Sequence, residues 1–155
     1  MTTDNFNPKK ALLLSKIIYF AILAGSLLYL LVVTILAYKN FYFNVDFSNP
    51  LIIALLFISI SAIPIGPFIA RRELSKLDKT APLQKKFQVY HTTLLMKLAS
   101  AEGVAFLAIV CLFLTNNTFT LLFFMVALGA ILRYYPKPEK IGEELSLSQQ
   151  EIDLL

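Results

Sequence analysis

Glu102 is the residue whose type and position most suggest chemistry. An uncharged run, residues 103–132, follows it directly, and carboxylates inside membrane-spanning helices are rare and often functional. If this run folds back on itself near its middle, residues equidistant from the turn lie at equal depth, which places Glu102 opposite Leu132. Arg133 is one residue further along, and its long side chain can reach across the difference. We therefore expect a Glu102–Arg133 ion pair inside the membrane.

Two further polar residues accompany Glu102. Lys97 lies five residues before it, about 140° around a helix, so we expect the lysine to extend to the membrane surface rather than to pair with Glu102. His91 shares a helical face with Glu102 through spacings of three and four residues. A histidine at the mouth of a helix and a carboxylate inside it could conduct a proton. A histidine hydrated at the interface would produce the same pattern.

A second candidate site is the sequence Pro64-Ile65-Gly66-Pro67. Proline has no backbone N–H, so Pro64 and Pro67 leave carbonyl oxygens of the preceding turn unpaired and predict that the helix kinks or opens. Discontinuous helices near the middle of a membrane form ion and substrate sites in transporters. Kinks also occur without such sites, and Ser59 and Ser61 could bond with the freed backbone groups.

The elements that must position these residues are membrane helices. The 155 residues are 57% hydrophobic and 15% charged, with a mean hydropathy of +0.70. Soluble domains carry about 25% charged residues, so the apolar excess indicates lipid. Each helix across a membrane needs about 20 apolar residues, which limits the chain to four or five spans and leaves no room for a soluble catalytic domain.

Two spans follow from length alone. The uncharged runs 17–38 and 47–70 are each long enough to cross a bilayer, and they predict spans over about 13–38 and 50–70. The third apolar region is interrupted by Thr115-Asn116-Asn117-Thr118. Either one long helix buries these four side chains and the chain has three spans, or they form a tight turn between two spans, about 90–114 and 118–135.

The distribution of positive charge favours four spans, because lysine and arginine near the ends of spans stay preferentially in the cytoplasm. With four spans, nearly all the cations lie on one side and Lys39 alone lies on the other. We therefore predict an all-α integral membrane four-helix bundle made of two helical hairpins, with both termini cytoplasmic. Residues 1–136 form the transmembrane domain and 137–155 a short helical tail.

The loop between the second and third spans is strongly basic. We expect its cations to contact anionic lipid headgroups, where each contributes about 1 kcal/mol. Nucleic-acid binding is disfavoured because no fold remains to present a basic face. The predicted headgroup contacts are Arg71, Arg72, Lys76, Lys79, Lys85 and Lys86.

The C-terminal tail carries two helix-start signals. Pro138 suits the first turn of a short helix, and Ser148 with Glu151 three residues later forms a capping box. The simplest interpretation is a solvated chain end. The alternative is a small element that docks on a partner or on another part of the bundle.

Several kinds of site are missing from the sequence. A single cysteine, Cys111, and a single histidine exclude an internal disulfide and a haem-ligating pair of histidines, and the sequence shows no metal-ligand spacing and no serine–histidine–aspartate pattern. No glycine-rich loop for a nucleotide phosphate is present. We therefore predict a protein that is not an enzyme and that holds no metal or cofactor.

The C-terminal half resembles a group of uncharacterised small bacterial inner-membrane proteins. The resemblance covers roughly residues 88–153 and includes Ala101-Glu102-Gly103, a polar turn, a last span and the acidic tail from Pro138. It implies a transmembrane hairpin, a cytoplasmic tail and a location in the inner membrane, and it implies no activity. Small multidrug-resistance transporters also have four helices and one membrane glutamate, but theirs is on the first helix.

The function that these observations favour is that of an accessory or scaffolding subunit. Such a chain would associate with itself or join a larger membrane complex, with Glu102 and Arg133 fixing helix register. The alternative is a small proton- or cation-coupled transporter or channel that uses Glu102 as its ion site and the Pro64–Pro67 segment as a gate. Lipid binding through the basic loop is a third, weaker hypothesis.

Overall fold

The chain is built from helices. The computed structural model describes residues 6–78 and 80–155, with Tyr38 described by its backbone alone, and this part of the chain contains no β-strand. Short 3-10 turns cover Tyr38–Asn40 and Thr118–Thr120. The α-helices are α1 (Pro8–Ala37), α2 (Pro50–Ser75), α3 (Leu83–Thr115), α4 (Leu121–Arg133), α5 (Pro138–Leu145) and α6 (Gln149–Ile152).

Three of these helices, α1, α2 and α3, are long and apolar enough to cross a membrane, as in a multi-pass membrane protein. The fourth is shorter: α4 and the preceding 3-10 turn together rise only about 26 Å, against a hydrocarbon core of about 30 Å. This segment and α5 together pass the same test but are bent by 79°. The described residues therefore provide three spans, or up to four if the bent pair is counted as one.

The polar turn in the third apolar region is confirmed. α3 ends at Thr115, and Asn116 adopts the left-handed conformation with φ of 55°, which asparagine tolerates better than most residues. The chain then reverses through the 3-10 turn into α4. The alternative of one long helix through residues 115–118 is wrong.

The helices do not form two side-by-side hairpins. α1, α2 and α4 all pack on α3, whereas α1 and α2 contact each other little. The predicted α3–α4 hairpin is present, but the α1–α2 pair is not a packed hairpin. Small residues of α3 permit this packing: Ala101, Ala105 and Ala108 are fully buried, and small side chains let neighbouring helices approach closely.

The direction of each helix follows from its contacts with α3. Ser15 of α1 contacts His91, and Tyr29 further along α1 stacks on Phe106, so α1 runs parallel to α3. α2 and α4 run in the opposite direction. We call the end with the N-terminus of α3 and the tail the tail end, and the end with the α3–α4 turn the turn end.

The proline-containing helix α2 is continuous, so of the two predicted outcomes, a kink or an opening, the opening does not occur. It is α-helical from Pro50 through Pro64 and Pro67 to Ser75. The nearby serines also do not bond to the carbonyl groups freed by the prolines: Ser59 Oγ donates to the carbonyl of Leu55, and Ser61 Oγ to those of Phe57 and Ile58. The Pro64–Pro67 segment is therefore not a break in the backbone.

Gly66 has a packing role in this segment. A Cβ atom at Gly66 would lie 2.8 Å from the carbonyl oxygen of Met96 and even closer to the hydroxyl of Ser100. Only glycine permits α2 and α3 to approach this closely. Pro64 and Pro67 thus flank a close contact between the two helices.

Candidate functional site

Glu102 lies on the side of α3 that faces α1. One turn further along this face is Phe106, whose ring stacks on Tyr29 of α1 with centroids 4.8 Å apart. The Glu102 side chain is partly exposed. Within residues 6–78 and 80–155, it forms no ion pair and no hydrogen bond with the chain. The carboxylate therefore lies in a helix long and apolar enough to cross a membrane, without a partner among the described residues.

The predicted Glu102–Arg133 pair does not form among the described residues. Arg133 lines a cavity together with Lys97 and Tyr90, and Lys97 lies about 140° around α3 from Glu102. The 3-10 turn that opens the last segment also rises faster per residue than an α-helix, which carries Arg133 further toward the tail end. Equal spacing from the turn therefore does not bring the two charges together.

Open space surrounds the glycines that lie near the depth of Glu102. A Cβ atom at Gly103 of α3 or at Gly25 of α1 would meet nothing within 4 Å. α1 itself is poorly covered, with 17% of its apolar span buried by the rest of the chain. Small residues permit close approach of another helix, and here none of the described helices uses that space.

Lys97 is buried and paired, which corrects the expectation that it extends to the membrane surface. Its side chain is 8% exposed, and its Nζ atom lies 2.6 Å from Oε1 of Glu144 in α5. A buried ammonium group needs a charged partner to offset its lost hydration. The tail supplies that partner, and the sequence spacing within α3 could not reveal it.

The tail docks on the bundle, so the interpretation as a solvated end is wrong. Ile141 and Leu145 of α5 are fully buried in an apolar cluster. The partners on α3 include Tyr90, Leu94 and Leu98. The shared face of Ile141 and Leu145, four residues apart, is the sequence signal for this contact.

A second ion pair holds the end of the tail. Lys86 Nζ lies 3.4 Å from Glu151 Oε1, and the predicted capping box of Ser148 and Glu151 is present. The pKa of Glu151 is lowered, first by the hydrogen bond from the backbone N–H of Ser148 and also by Lys86. Because Lys86 is buried, it is not available to lipid headgroups, contrary to the prediction.

The other loop cations differ in their surroundings. Lys76 pairs with Glu73 on the surface at 2.6 Å, while Arg71, Arg72 and Lys85 are exposed. The predicted headgroup contact at Lys79 lies outside the described residues.

His91 joins α3 to α1. Its Nε2 atom lies 3.0 Å from the carbonyl oxygen of Ala11 and 3.0 Å from the hydroxyl of Ser15. A carbonyl oxygen only accepts, so Nε2 carries the proton in the hydrogen bond to Ala11. This contact anchors the start of α1, and the structure places His91 and Glu102 about three helical turns apart.

A cavity of about 390 Å³ with several charged residues in its lining opens at the tail end between α2, α3, α4 and the tail. Two arginines from different helices, Arg71 and Arg133, face it. Its charged lining residues, four positive and two negative, are Arg71, Lys97, Arg133, Lys140, Glu143 and Glu144.

Asn117 at the turn end joins two loops, whereas the sequence predicted it only as part of a polar turn. Its side chain accepts hydrogen bonds from the backbone N–H groups of Asn44 and Phe119 and donates one to the carbonyl of Asn44, at 3.1, 3.0 and 2.7 Å. A short bridge between Asn117 and Tyr42 lies beside it. The two loops at this end are thereby tied together.

The chemistry of the remaining residues is limited. Within residues 6–78 and 80–155, no group of three His, Cys, Asp or Glu side chains could hold a metal ion. Comparisons with protein-family models, curated proteins and solved structures give no match.

Proposed function

We propose that the protein is a non-enzymatic accessory or scaffolding subunit of a membrane complex, formed with other copies of itself or with a larger partner. In this proposal the four apolar segments cross the inner membrane of a bacterium, and both termini and the tail are cytoplasmic. The observation that carries the proposal is the carboxylate of Glu102, which has no partner within residues 6–78 and 80–155, beside unfilled space at Gly103.

A carboxylate in a span is unfavourable, by roughly 2.5–3.5 kcal/mol at the centre and less near the edge. Such residues usually pair with other groups or face a protein interior. A helix from another subunit, packed against Gly103 and Gly25 and carrying a cation or a hydrogen-bond donor, would satisfy Glu102. It would also cover the exposed apolar surface of α1.

The test is purification of the tagged chain in mild detergent at native expression, with measurement of particle mass and identification of stoichiometric partners. The variant Gly103→Leu should abolish the association by filling the open space. Gly129→Leu is the matched control, because Gly129 is also an open glycine but lies on α4. A monomeric chain without a stoichiometric partner would contradict the proposal.

The alternative is a proton- or cation-coupled transporter or channel, which the unpartnered Glu102 also favours. This function predicts pH- or potential-driven flux in proteoliposomes that Glu102→Gln abolishes while the fold is retained. The helix is continuous through Pro64–Pro67, so this segment offers the hypothesis no opened backbone to serve as the gate. If the wild-type chain conducts no ion, the alternative is excluded.

A further inference from the structure

We propose that the cavity at the tail end binds the phosphate headgroup of an anionic phospholipid, held between Arg71 and Arg133. The site is independent of the proposed subunit contact, since it lies on another side of α3 and at the tail end of the bundle.

The charge of the cavity suits an anion. Of the four cations that line it, Lys97 is already neutralised by Glu144 at 2.6 Å. Within the described residues, the guanidinium groups of Arg71 and Arg133 form no ion pair and no hydrogen bond. Arginine presents several N–H donors in a fixed geometry that matches a phosphate group. Two such groups facing one cavity therefore form a receptor for an oxyanion.

The position of Arg71 and Arg133 also suits a lipid headgroup. Arg71 lies near the end of α2 and Arg133 is the last residue of α4, so both lie where their helices reach the tail end. The C-terminal ends of helices do not attract anions by themselves; the attraction must come from the side chains. Aromatic residues, Tyr134 and Tyr135, also line this cavity, as is common at the headgroup level of a membrane.

An apolar groove beside the cavity favours a lipid over a free phosphate ion. The cavity shares Arg71 and Pro67 with an adjoining groove of about 430 Å³ along α2. The groove is otherwise lined by Pro64, Ile65 and Phe68, and Phe68 is 70% exposed. A phosphate group in the cavity would thus have an apolar path beside it that fits an acyl chain. Inorganic phosphate would leave this groove empty.

The experiment is native mass spectrometry of the full chain in detergent with equal amounts of phosphatidylglycerol and phosphatidylcholine. We expect one phosphatidylglycerol to be retained per chain in preference to phosphatidylcholine. Arg71→Gln should lower this retention about tenfold, because it removes charge-assisted hydrogen bonds. Arg72→Gln is the matched control: it removes the same charge from the neighbouring position, which does not line the cavity.

The remaining outcomes are also decisive. Equal losses in Arg71→Gln and Arg72→Gln, or equal retention of the two lipids by the wild-type chain, would overturn the proposal. Displacement of phosphatidylglycerol by millimolar inorganic phosphate would show that the cavity takes a free ion instead, and the lipid assignment would be wrong. If Arg71→Gln does not fold, Lys140→Gln replaces it, since Lys140 is exposed and lines the cavity; about a threefold loss is then expected.

Discussion

The polar residues on two sides of α3 have opposite surroundings. On the closed side, which contacts α2 and the tail, Gly66 packs tightly on Ser100, and buried Lys97 is paired with Glu144. On the open side, which contacts α1, Glu102 lacks a partner among the described residues and Gly103 has free space around it. The chain completes one side with its own residues and leaves the other side to its surroundings.

The difference shows which polar residues belong to the fold. A buried charge that the chain itself neutralises contributes to a defined structure, since removal of either partner leaves the other uncompensated. A charge in a span that the chain leaves unpaired adds little to the stability of the isolated chain. Its effect should appear only when another molecule is present.

The largest expected effect concerns the two glycines. Gly66→Ala should destabilise the protein by about 1–3 kcal/mol, because the added methyl group overlaps a backbone carbonyl that cannot move independently. Gly103→Ala should change the stability by less than about 0.5 kcal/mol or raise it, since alanine favours a helix. Thermal unfolding in mild detergent measures both. Similar losses from the two variants would show that the two sides are packed alike.

The ion pair on the closed side should have the next largest effect. Glu144→Gln is expected to destabilise by about 2 kcal/mol, less than a fully buried pair, because one partner is partly exposed. The double variant Lys97→Met with Glu144→Gln should recover much of that loss. Glu143→Gln, next in the sequence and exposed, is the control. A double variant as unstable as Glu144→Gln alone would exclude the pairing as the cause.

Glu102 should be nearly neutral in the isolated chain. The predicted Glu102–Arg133 pair would have made removal of the Glu102 carboxylate destabilising, because Arg133 would lose its partner. Because that pair does not form, we expect Glu102→Gln to change the free energy of unfolding in detergent by less than about 0.5 kcal/mol. The same variant should weaken the association or the flux measured under the proposed function. A large loss of stability in the monomer would contradict the conclusion that Glu102, on the open side of α3, adds little to the stability of the isolated chain.

The smallest effect is the pH dependence of the tail. The lowered pKa of Glu151 means that its contribution to stability is fully present above the pKa of the unfolded chain, about 4.3. It is lost as the pH falls through the lower pKa of the folded state. The protection of the tail amides from hydrogen exchange, relative to the intrinsic exchange rate at each pH, should therefore fall on acidification below about pH 4, and Glu151→Gln should remove that dependence. An unchanged dependence in the variant would assign it to another group.

The sequence by itself determined the helical class and the long apolar segments, because both follow from local composition. It favoured the reversal at residues 115–118 only through the distribution of positive charge over the whole chain. The capping box and the shared face of Ile141 and Leu145 are also visible in the sequence. The partner of that face, however, was left open between a solvated tail and a docked one.

The tertiary structure alone decided which polar residues meet. The ion pair of Lys97 with Glu144 joins residues 47 positions apart, and the bonds of Asn117 with Asn44 span 73 positions. Neither is visible in a periodicity along one helix. The pair of Glu102 with Arg133 was expected from equal depth, but contact also requires the same side of α3. Depth follows from counting residues along the chain, whereas the facing side depends on how the helices pack around α3.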